Sequence, residues 1–320
     1  MAYTLADFSR QATEPLKKAV IDITRKESFI MDKLPFESTG SINMKLLRMT
    51  TLPEVNTRDI GGTYSESKAL TDVVEEQACI LGGFIDVDTI LAEAKNQVTD
   101  QRALQTKAFT KAMAYKFNDM FINGLPTTNP SEMVGLKYRV ENDLPASQKI
   151  NANVDVTDPD SSNAGAKLID AIQALIHACD GHKADVLIMN TATYLKVLAS
   201  IRSAGLWDKT QDNFGRNIST FGPGGPALLD LGVKANQTDQ VLGWEDAGGA
   251  YAASLYGSIY AVKFGDEYIN GWQFKPLTVT DKGVLENGTS MRTIIEWAVG
   301  IYFYNPRSFA RLYNIKLKAA

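Results

Sequence analysis

The chain has 320 residues, enough for one large domain or two of ordinary size. Apolar residues make up 44% and charged residues 22%, close to ordinary globular usage, which excludes a disordered chain or a fibrous repeat. The net charge of −4 argues against a general nucleic-acid binder with a strongly basic face. The two cysteines, Cys79 and Cys179, cannot make a disulfide framework and are typical of a reducing compartment. We expect no signal peptide and no membrane span, because the N-terminus lacks an apolar core and no run of about 18 apolar residues occurs.

Residues 1 to about 34 are predicted to form an arm. A short amphipathic helix carries one weak apolar stripe: Leu16, Val20, Ile21, and Ile23 or Thr24. Such a short helix cannot bury itself, so it must lie on something else, either its own body or a neighbouring subunit.

A long, two-stranded hairpin that projects from the body of the chain is predicted within residues 36–88. Apolar residues alternate over 42–46, a polar and turn-rich tip follows at 54–63, and a second extended segment returns through 73–74 into 79–81. An isolated hairpin of this length is only marginally stable in water, so we expect something outside it to hold it in place.

The clearest helix is predicted from about Val98 to Asn123. Its apolar residues recur at spacings of three and four: Leu104, Ala108, Phe109, Ala112, Met113, Phe117, Met120 and Phe121. Asp100 lies in the first turn, and Gly124 with Pro126 ends the helix. At 1.5 Å per residue this is a rod of roughly 39 Å, which suits a strut.

An α/β pattern begins at Asn163. A helix closed by Gly181 precedes a compact apolar strand at 184–189, and Asn190 is predicted to cap the next helix. Residues 205–226 are rich in Gly and Asn and are predicted to be a loop.

Two strong strands close the chain. They are predicted at 256–264 and at 295–303, where large and small or polar residues alternate. Asn305 and Pro306 break the second strand, and Ser308 is predicted to cap a short helix through Tyr313.

Cys179 lies between the only two histidines, His177 and His182. The spacing matches no standard zinc pattern, and Cys179 falls on the apolar stripe of its helix, which favours a buried structural thiol. A nucleophilic Cys-His pair would need an orienting carboxylate, and nothing in the sequence places one there. We therefore predict no catalytic, cofactor-binding or metal-binding residue, and no enzyme.

Three other features are interpreted as structural and not as functional sites. The Gly222–Gly225 run lacks the Lys-Ser/Thr of a phosphate-binding loop and is interpreted as a mobile loop. Glu75 and Glu76 lie in an extended segment and are interpreted as a solvated strand edge. The tail from residue 305 carries four basic residues and no acid, which we interpret as ordinary surface solvation in preference to a phosphate-facing patch.

The order of parts resembles the major capsid protein of tailed bacteriophages, with the HK97-like α+β fold. Phe121-Ile122-Asn123-Gly124 followed by Val134-Gly135-Leu136 is similar to the helix end and following Gly-Leu turn of that family. Residues 258–265 are similar to the late strand of its axial domain, and residues 295–301 with 305–308 to its closing strand and turn. The resemblance covers nearly the whole chain, and none of its motifs is catalytic.

The resemblance implies a division into parts. Residues 1–35 would be the N-arm and 36–76 an extended E-loop lying over a neighbouring subunit. The peripheral P-domain would comprise residues 77–150, with a spine helix at about 98–123, and residues 278–320. The axial A-domain would comprise residues 151–277, whose loops meet at five- and six-fold centres.

The resemblance also implies partners. We expect pentamers and hexamers in an icosahedral virion shell that encloses double-stranded DNA without sequence-specific contacts, built in the bacterial cytoplasm, without a membrane or cofactor. A separate scaffolding protein or none, a portal and a decoration protein would complete it. Some relatives crosslink a lysine to an asparagine, but no motif marks Lys45 or Lys68 for this chemistry.

Elementary physics suits this interpretation. Extended arms and hairpins supply interface area without enlarging the core, and many linked contacts give avidity. Gly62, Gly82 and Gly83 are predicted as bending points, and the 54–63 tip as a contact with another subunit. Two alternatives stay open: an encapsulin-type nanocompartment shell, and a soluble α/β enzyme that uses Cys179.

Overall fold

A computed structural model describes residues 3–11, 15–51, 53–90, 101–157, 163–212, 214–249, 255–286 and 288–317. The fold is α+β, as predicted. The helices are α1 (Leu5–Gln11), α2 (Pro15–Glu27), α3 (Phe29–Lys33), α4 (Gln101–Asn123), α5 (Leu136–Asn142), α6 (Ala164–Ala178) and α7 (Thr191–Ser203). The strands are β1 (Tyr3–Thr4), β2 (Pro35–Ser38), β3 (Asn43–Thr51), β4 (Leu70–Gln77), β5 (Cys79–Asp88), β6 (Lys149–Asp155), β7 (Val186–Met189), β8 (Trp207–Gln211), β9 (Asn217–Phe221), β10 (Ala227–Asp230), β11 (Tyr256–Val262), β12 (Ile269–Val284), β13 (Ser290–Phe303) and β14 (Phe309–Lys316).

The N-terminal helices pack on the body of their own chain. Val20, Ile21 and Thr24 are buried, and α2 lies along α4. Ser28 caps α3 by accepting from the Met31 amide at 3.3 Å. The choice left open by the sequence is therefore settled for residues 15–34 in favour of the chain's own core.

A five-stranded sheet in the order β1-β2-β12-β13-β5 supports α4. Trp297 of β13 is fully buried and stacks on Phe117 of α4, with ring centroids 5.5 Å apart. The predicted closing strand is confirmed and begins earlier, at Ser290.

The long helix α4 spans about 34 Å, from 23 residues at 1.5 Å each. The predicted end at Asn123 is confirmed, whereas the predicted start at 98–100 lies outside the described residues. The Gly135 amide donates to the Gly124 carbonyl at 2.9 Å. A Cβ at Gly124 would overlap the Met133 carbonyl, so the helix end and the following turn are packed backbone on backbone.

A seven-stranded sheet in the order β6-β14-β11-β7-β10-β9-β8 forms the second layer, with α6 and α7 packed on it. Asn190 caps α7 as predicted, because its side chain accepts from the Thr193 amide at 2.8 Å. Gly181 closes the α6 segment with a φ of +68°, where glycine is favoured.

Two predictions about this layer are wrong. The segment after Ser308 is strand β14, paired with β11 and β6, and not a helix. Both faces of its first half are buried, so its apolar residues do not alternate and the strand period is hidden. Residues 205–226, predicted as a loop, contain the β8–β9 hairpin. Its strands were not predicted because β8 is exposed and mostly polar, so it has no apolar alternation.

The bending role predicted for Gly82 and Gly83 is also wrong. Both lie inside β5, paired with β13. A Cβ at Gly82 would overlap the Ile295 carbonyl, and one at Gly83 would lie 2.9 Å from the Phe109 ring. These glycines allow close packing, while Gly62 lies in an exposed turn and its bending role stays a prediction.

Candidate assembly surface

The predicted projecting hairpin is present and consists of the antiparallel strands β3 and β4. Leu46 lies opposite Val74, and Leu47 opposite Val73. Because side chains alternate across a strand, these two pairs lie on opposite faces of the hairpin.

One face of the hairpin is bound to the body of the chain. Leu46 and Met44 pack with Ala78 against Trp272 and Tyr302 of the five-stranded sheet. This contact is the outside support that the sequence required for a hairpin of such length.

An ionic network reinforces the same face at the base of the hairpin. Arg139 of α5 lies 2.6 Å from Glu76 of β4 and 3.6 Å from Asp143. Arg48 of β3 reaches the same Asp143 at 3.5 Å, and the Arg139 guanidinium also lies 4.1 Å from the Phe303 ring centroid. The network therefore links both hairpin strands to α5.

Glu76 corrects the prediction of a solvated edge at residues 75–76. Its side chain is 5% exposed, and burial raises its pKa while Arg139 opposes that rise. Glu75 on the other face does remain exposed, 2.6 Å from Lys45. Lys68 likewise lies 2.7 Å from Glu66, so each hairpin lysine pairs with a nearby carboxylate.

The second face and the tip of the hairpin expose apolar side chains to water. Leu47 is 62% exposed and Val55 is 91% exposed. The exposed apolar set of this region is Ile42, Leu47, Val55, Ile60, Tyr64, Leu70 and Val73. Exposed apolar side chains grouped on one projecting element are typical of a surface that another molecule covers.

The tip from residue 53 to 68 is exposed throughout and is held by contacts within itself. The Glu54 amide donates to Ser67 Oγ at 2.6 Å, and Asn56 Nδ2 donates to Ser65 Oγ at 2.9 Å. Arg58 lies over the Tyr64 ring at 5.2 Å. The tip is therefore presented away from the core with its side chains available to another molecule.

A second apolar area lies on the outer face of β5. Ile80 and Phe84 are exposed there, on the face opposite α4. Arg292 covers Phe84 at 4.1 Å and makes a two-pronged pair with Asp86 at 2.7 and 2.6 Å. This area continues the sheet face on which the hairpin base rests.

Cys179, His177 and His182, the residues considered for catalysis or metal binding, do not form a reactive centre. Cys179 is buried beyond the end of α6, and burial raises its pKa to about 12. The His177 and His182 rings lie 5.3 Å apart, with His182 Nδ1 2.8 Å from the His177 carbonyl. Within the described ranges, no group of three or more His, Cys, Asp or Glu side chains could hold a metal ion.

The remaining sequence candidates have structural positions. Gly222 and Gly224 have φ values of +78° and +69° and form the turn between β9 and β10. In the tail, Arg311 is buried 2.9 Å from the fully buried Glu245, and Lys316 lies 2.8 Å from Asp155. These two tail charges serve internal ion pairs, which corrects the surface-solvation interpretation, while Lys318 lies outside the described residues.

Sequence reasoning missed the buried Arg139. A signal was present, because Leu136, Arg139 and Val140 share one helix face at i, i+3 and i+4, and all three are buried. A basic residue within an apolar stripe requires a buried carboxylate partner, but the identity of Glu76, 63 residues away, is not local information.

The projecting hairpin, the long helix α4 against a five-stranded sheet and the separate seven-stranded sheet define the class of protein. The chain has the HK97-like fold. Among the helices of the described residues, none is long and apolar enough to cross a membrane.

The family described as Major capsid protein GP7 matches residues 14–158, just under half of the chain. The match covers α2, α3, the hairpin and α4. Together with the fold, it supports the resemblance to a tailed-bacteriophage major capsid protein that the sequence indicated. No curated protein is significantly similar to the chain in sequence.

Solved structures of shells share the fold at low sequence identity. The holo-SrpI encapsulin complex from Synechococcus elongatus PCC 7942 is 11% identical with a TM-score of 0.62, covering 91% of this chain and 88% of that one. The capsid of a native GTA particle is 15% identical with a TM-score of 0.55, covering 89% and 88%. The satellite phage P4 procapsid, which includes the size determination protein Sid, is 11% identical with a TM-score of 0.52, covering 96% and 93%.

Proposed function

We propose that this chain is the major head subunit of a tailed bacteriophage and that many copies close into an icosahedral shell around double-stranded DNA. The observation that carries the proposal is the exposed apolar face of the β3–β4 hairpin, anchored on its other face by Trp272 and the Arg139–Glu76 pair. Water-exposed apolar area on a rigidly held projection is stabilised when a sister copy covers it.

The hairpin has the reach for such a contact. Nine residues of β3 span about 30 Å at 3.4 Å each, and the tip extends beyond them. The ionic network at its base ties both hairpin strands to α5, so the hairpin projects from a supported base. Contact area of this kind is added without a larger core, and repetition around a shell multiplies modest contacts.

The parts named from the sequence remain an interpretation. We infer an N-arm at 1–35, an E-loop at 36–76, a P-domain built on the five-stranded sheet and an A-domain built on the seven-stranded sheet. The pairing of β14 with β11 and β6 supports counting residues 309–316 with the A-domain. We further infer pentamers and hexamers, assembly in the host bacterial cytoplasm, and a scaffold, portal and decoration protein as partners.

The experiment is assembly of purified protein, alone and with its scaffold, followed by negative-stain microscopy. Wild-type protein should give closed shells. Leu47→Asp should abolish them while the circular dichroism spectrum and thermal midpoint stay unchanged, because Leu47 is exposed in the subunit. Leu47→Met, the matched control, keeps an apolar side chain and should assemble. Normal shells from Leu47→Asp would contradict the role of this face.

A nanocompartment shell uses the same fold, as the SrpI likeness shows for that protein. The family match favours the viral function. The contents of purified particles separate the two: DNA or scaffold supports the head subunit, and a co-purifying enzyme supports the nanocompartment.

A further inference from the structure

The β8–β9 hairpin is weakly joined to the seven-stranded sheet that it extends. Every residue of β8 is exposed, and β9 is in register with β10 only at Thr220 and Ala227. We call this hairpin the strap, and Asp212 with residues 214–216 forms the described part of its tip.

Part of the strap lies over a cavity and does not pack directly on the sheet. A cavity of about 590 Å³ lies beneath it, lined by Phe29 and Pro35 of the N-terminal segment, Val186 and Ala227 of the sheet and Ile218 of the strap itself. Burial therefore contributes little to holding β8 and the tip closed, whereas Thr220 and Phe221 at the inner end of β9 are buried and stay with the sheet.

The tip of the strap is well organised by one carboxylate. Asp212 accepts hydrogen bonds from the Phe214 and Arg216 amides at 2.9 and 2.8 Å and from Arg216 Nε at 2.7 Å. Burial raises the pKa of Asp212, but these hydrogen bonds outweigh burial and hold the pKa below its usual value. Gly215 supports the turn with a φ of +75°.

This tip is fastened to the end of α2, about 190 residues away in sequence. Arg216 Nη1 donates to the Lys26 carbonyl at 2.9 Å, in the last turn of α2, where carbonyls lack helical partners and a cation is favourable. Arg25 lies over the Phe214 ring at 5.0 Å and is itself held by Asp32 at 2.6 Å.

We propose that Arg216 and Phe214 form a latch that closes the strap on α2, and that the strap opens as a unit when this latch is released. The latch ties the N-terminal helices to the free edge of the seven-stranded sheet. With the latch open, the N-terminal helices and the free edge of the seven-stranded sheet can shift relative to one another, while the main core stays intact. The inference concerns the folded chain itself and holds whether or not it builds a shell.

Hydrogen exchange of the full-length chain, read by mass spectrometry, tests the latch. Arg216→Ala should speed exchange of the strap amides at 207–219 and of the last turn of α2 together, by about ten-fold or more, as expected for loss of one hydrogen bond from a charged donor. Exchange in β7 and β11 should not change. Arg216→Lys keeps a cationic donor and should restore part of the protection.

Lys209→Ala is the matched control, since Lys209 lies on the same strap and contacts the Trp207 ring at 4.4 Å. It should leave exchange at α2 unchanged. Faster exchange confined to 212–216, or equal acceleration through the whole molecule in Arg216→Ala, would overturn the proposal.

Discussion

Arg139 of α5 and Glu76 of β4 form a nearly water-free ion pair, with Nη2 and Oε1 2.6 Å apart and side chains 2% and 5% exposed. The pair joins the base of the projecting hairpin to α5 of the subunit's body. The two charges stabilise the fold as a pair, because removing either one leaves the other buried without its nearest counter-ion.

Glu76→Ala should therefore destabilise the subunit by about 3–5 kcal/mol, as breaking a buried pair usually does. Urea unfolding of the unassembled protein measures this. Lys45→Ala, which removes an exposed pair on the other face of the same hairpin, should leave the unfolding midpoint unchanged.

The double variant Glu76→Leu/Arg139→Met should recover much of that loss, because apolar side chains of similar volume can replace a buried pair. A double-mutant cycle gives the coupling. Additive losses from the two single changes would show that the residues do not act as a pair.

Gly82→Ala should destabilise the protein by about 1–3 kcal/mol, because the new methyl group would overlap the Ile295 carbonyl and force β5 from β13. Gly40→Ala is the control, since a Cβ there meets nothing within 4 Å. A neutral Gly82→Ala would contradict this close packing of β5 against β13.

Neither cysteine should react with a thiol reagent at neutral pH until the protein unfolds. Burial raises the pKa of both Cys79 and Cys179 to about 12, so the reactive thiolate is scarce. Reaction with an alkylating reagent, followed with and without denaturant, provides the measurement. Fast labelling of native Cys179 would revive the enzyme hypothesis.

The tip at 54–63 should be cut by proteases in the free subunit and protected in assembled particles. It is fully exposed in the single chain, and we infer that a second copy covers it. Limited proteolysis of both states, with cleavage sites read by mass spectrometry, tests this. Equal cleavage in the two states would refute the contact.

Acid should weaken the link between β6 and β14. The Lys316 ammonium and then Thr157 lower the pKa of Asp155 to about 2. A carboxyl with a lowered folded pKa stabilises the fold above its unfolded pKa of about 4, and that contribution is lost as the pH falls toward about 2. The difference in unfolding free energy between wild type and Asp155→Asn should shrink over this window, and a difference that is constant with pH would count against the pair.

The hairpin, α4 and the strands β7, β11 and β13 are foreseeable from the sequence. Each is long or strongly patterned, so its period is a local property, as is the Asn190 cap. Strand β14 was missed because burial on both faces removes the alternation that identifies a strand.

The sequence by itself determined the projecting hairpin, the long helix, the strands β7, β11 and β13, and the resemblance to capsid proteins, since these depend on local periodicity and on short segments. Only the tertiary structure decided that Glu76 and Arg311 are buried partners, that Gly82 packs against backbone, and that Arg216 reaches α2. The physical reason is distance along the chain: whether a charge is buried depends on a partner that lies tens to hundreds of residues away, and folding alone brings the two together.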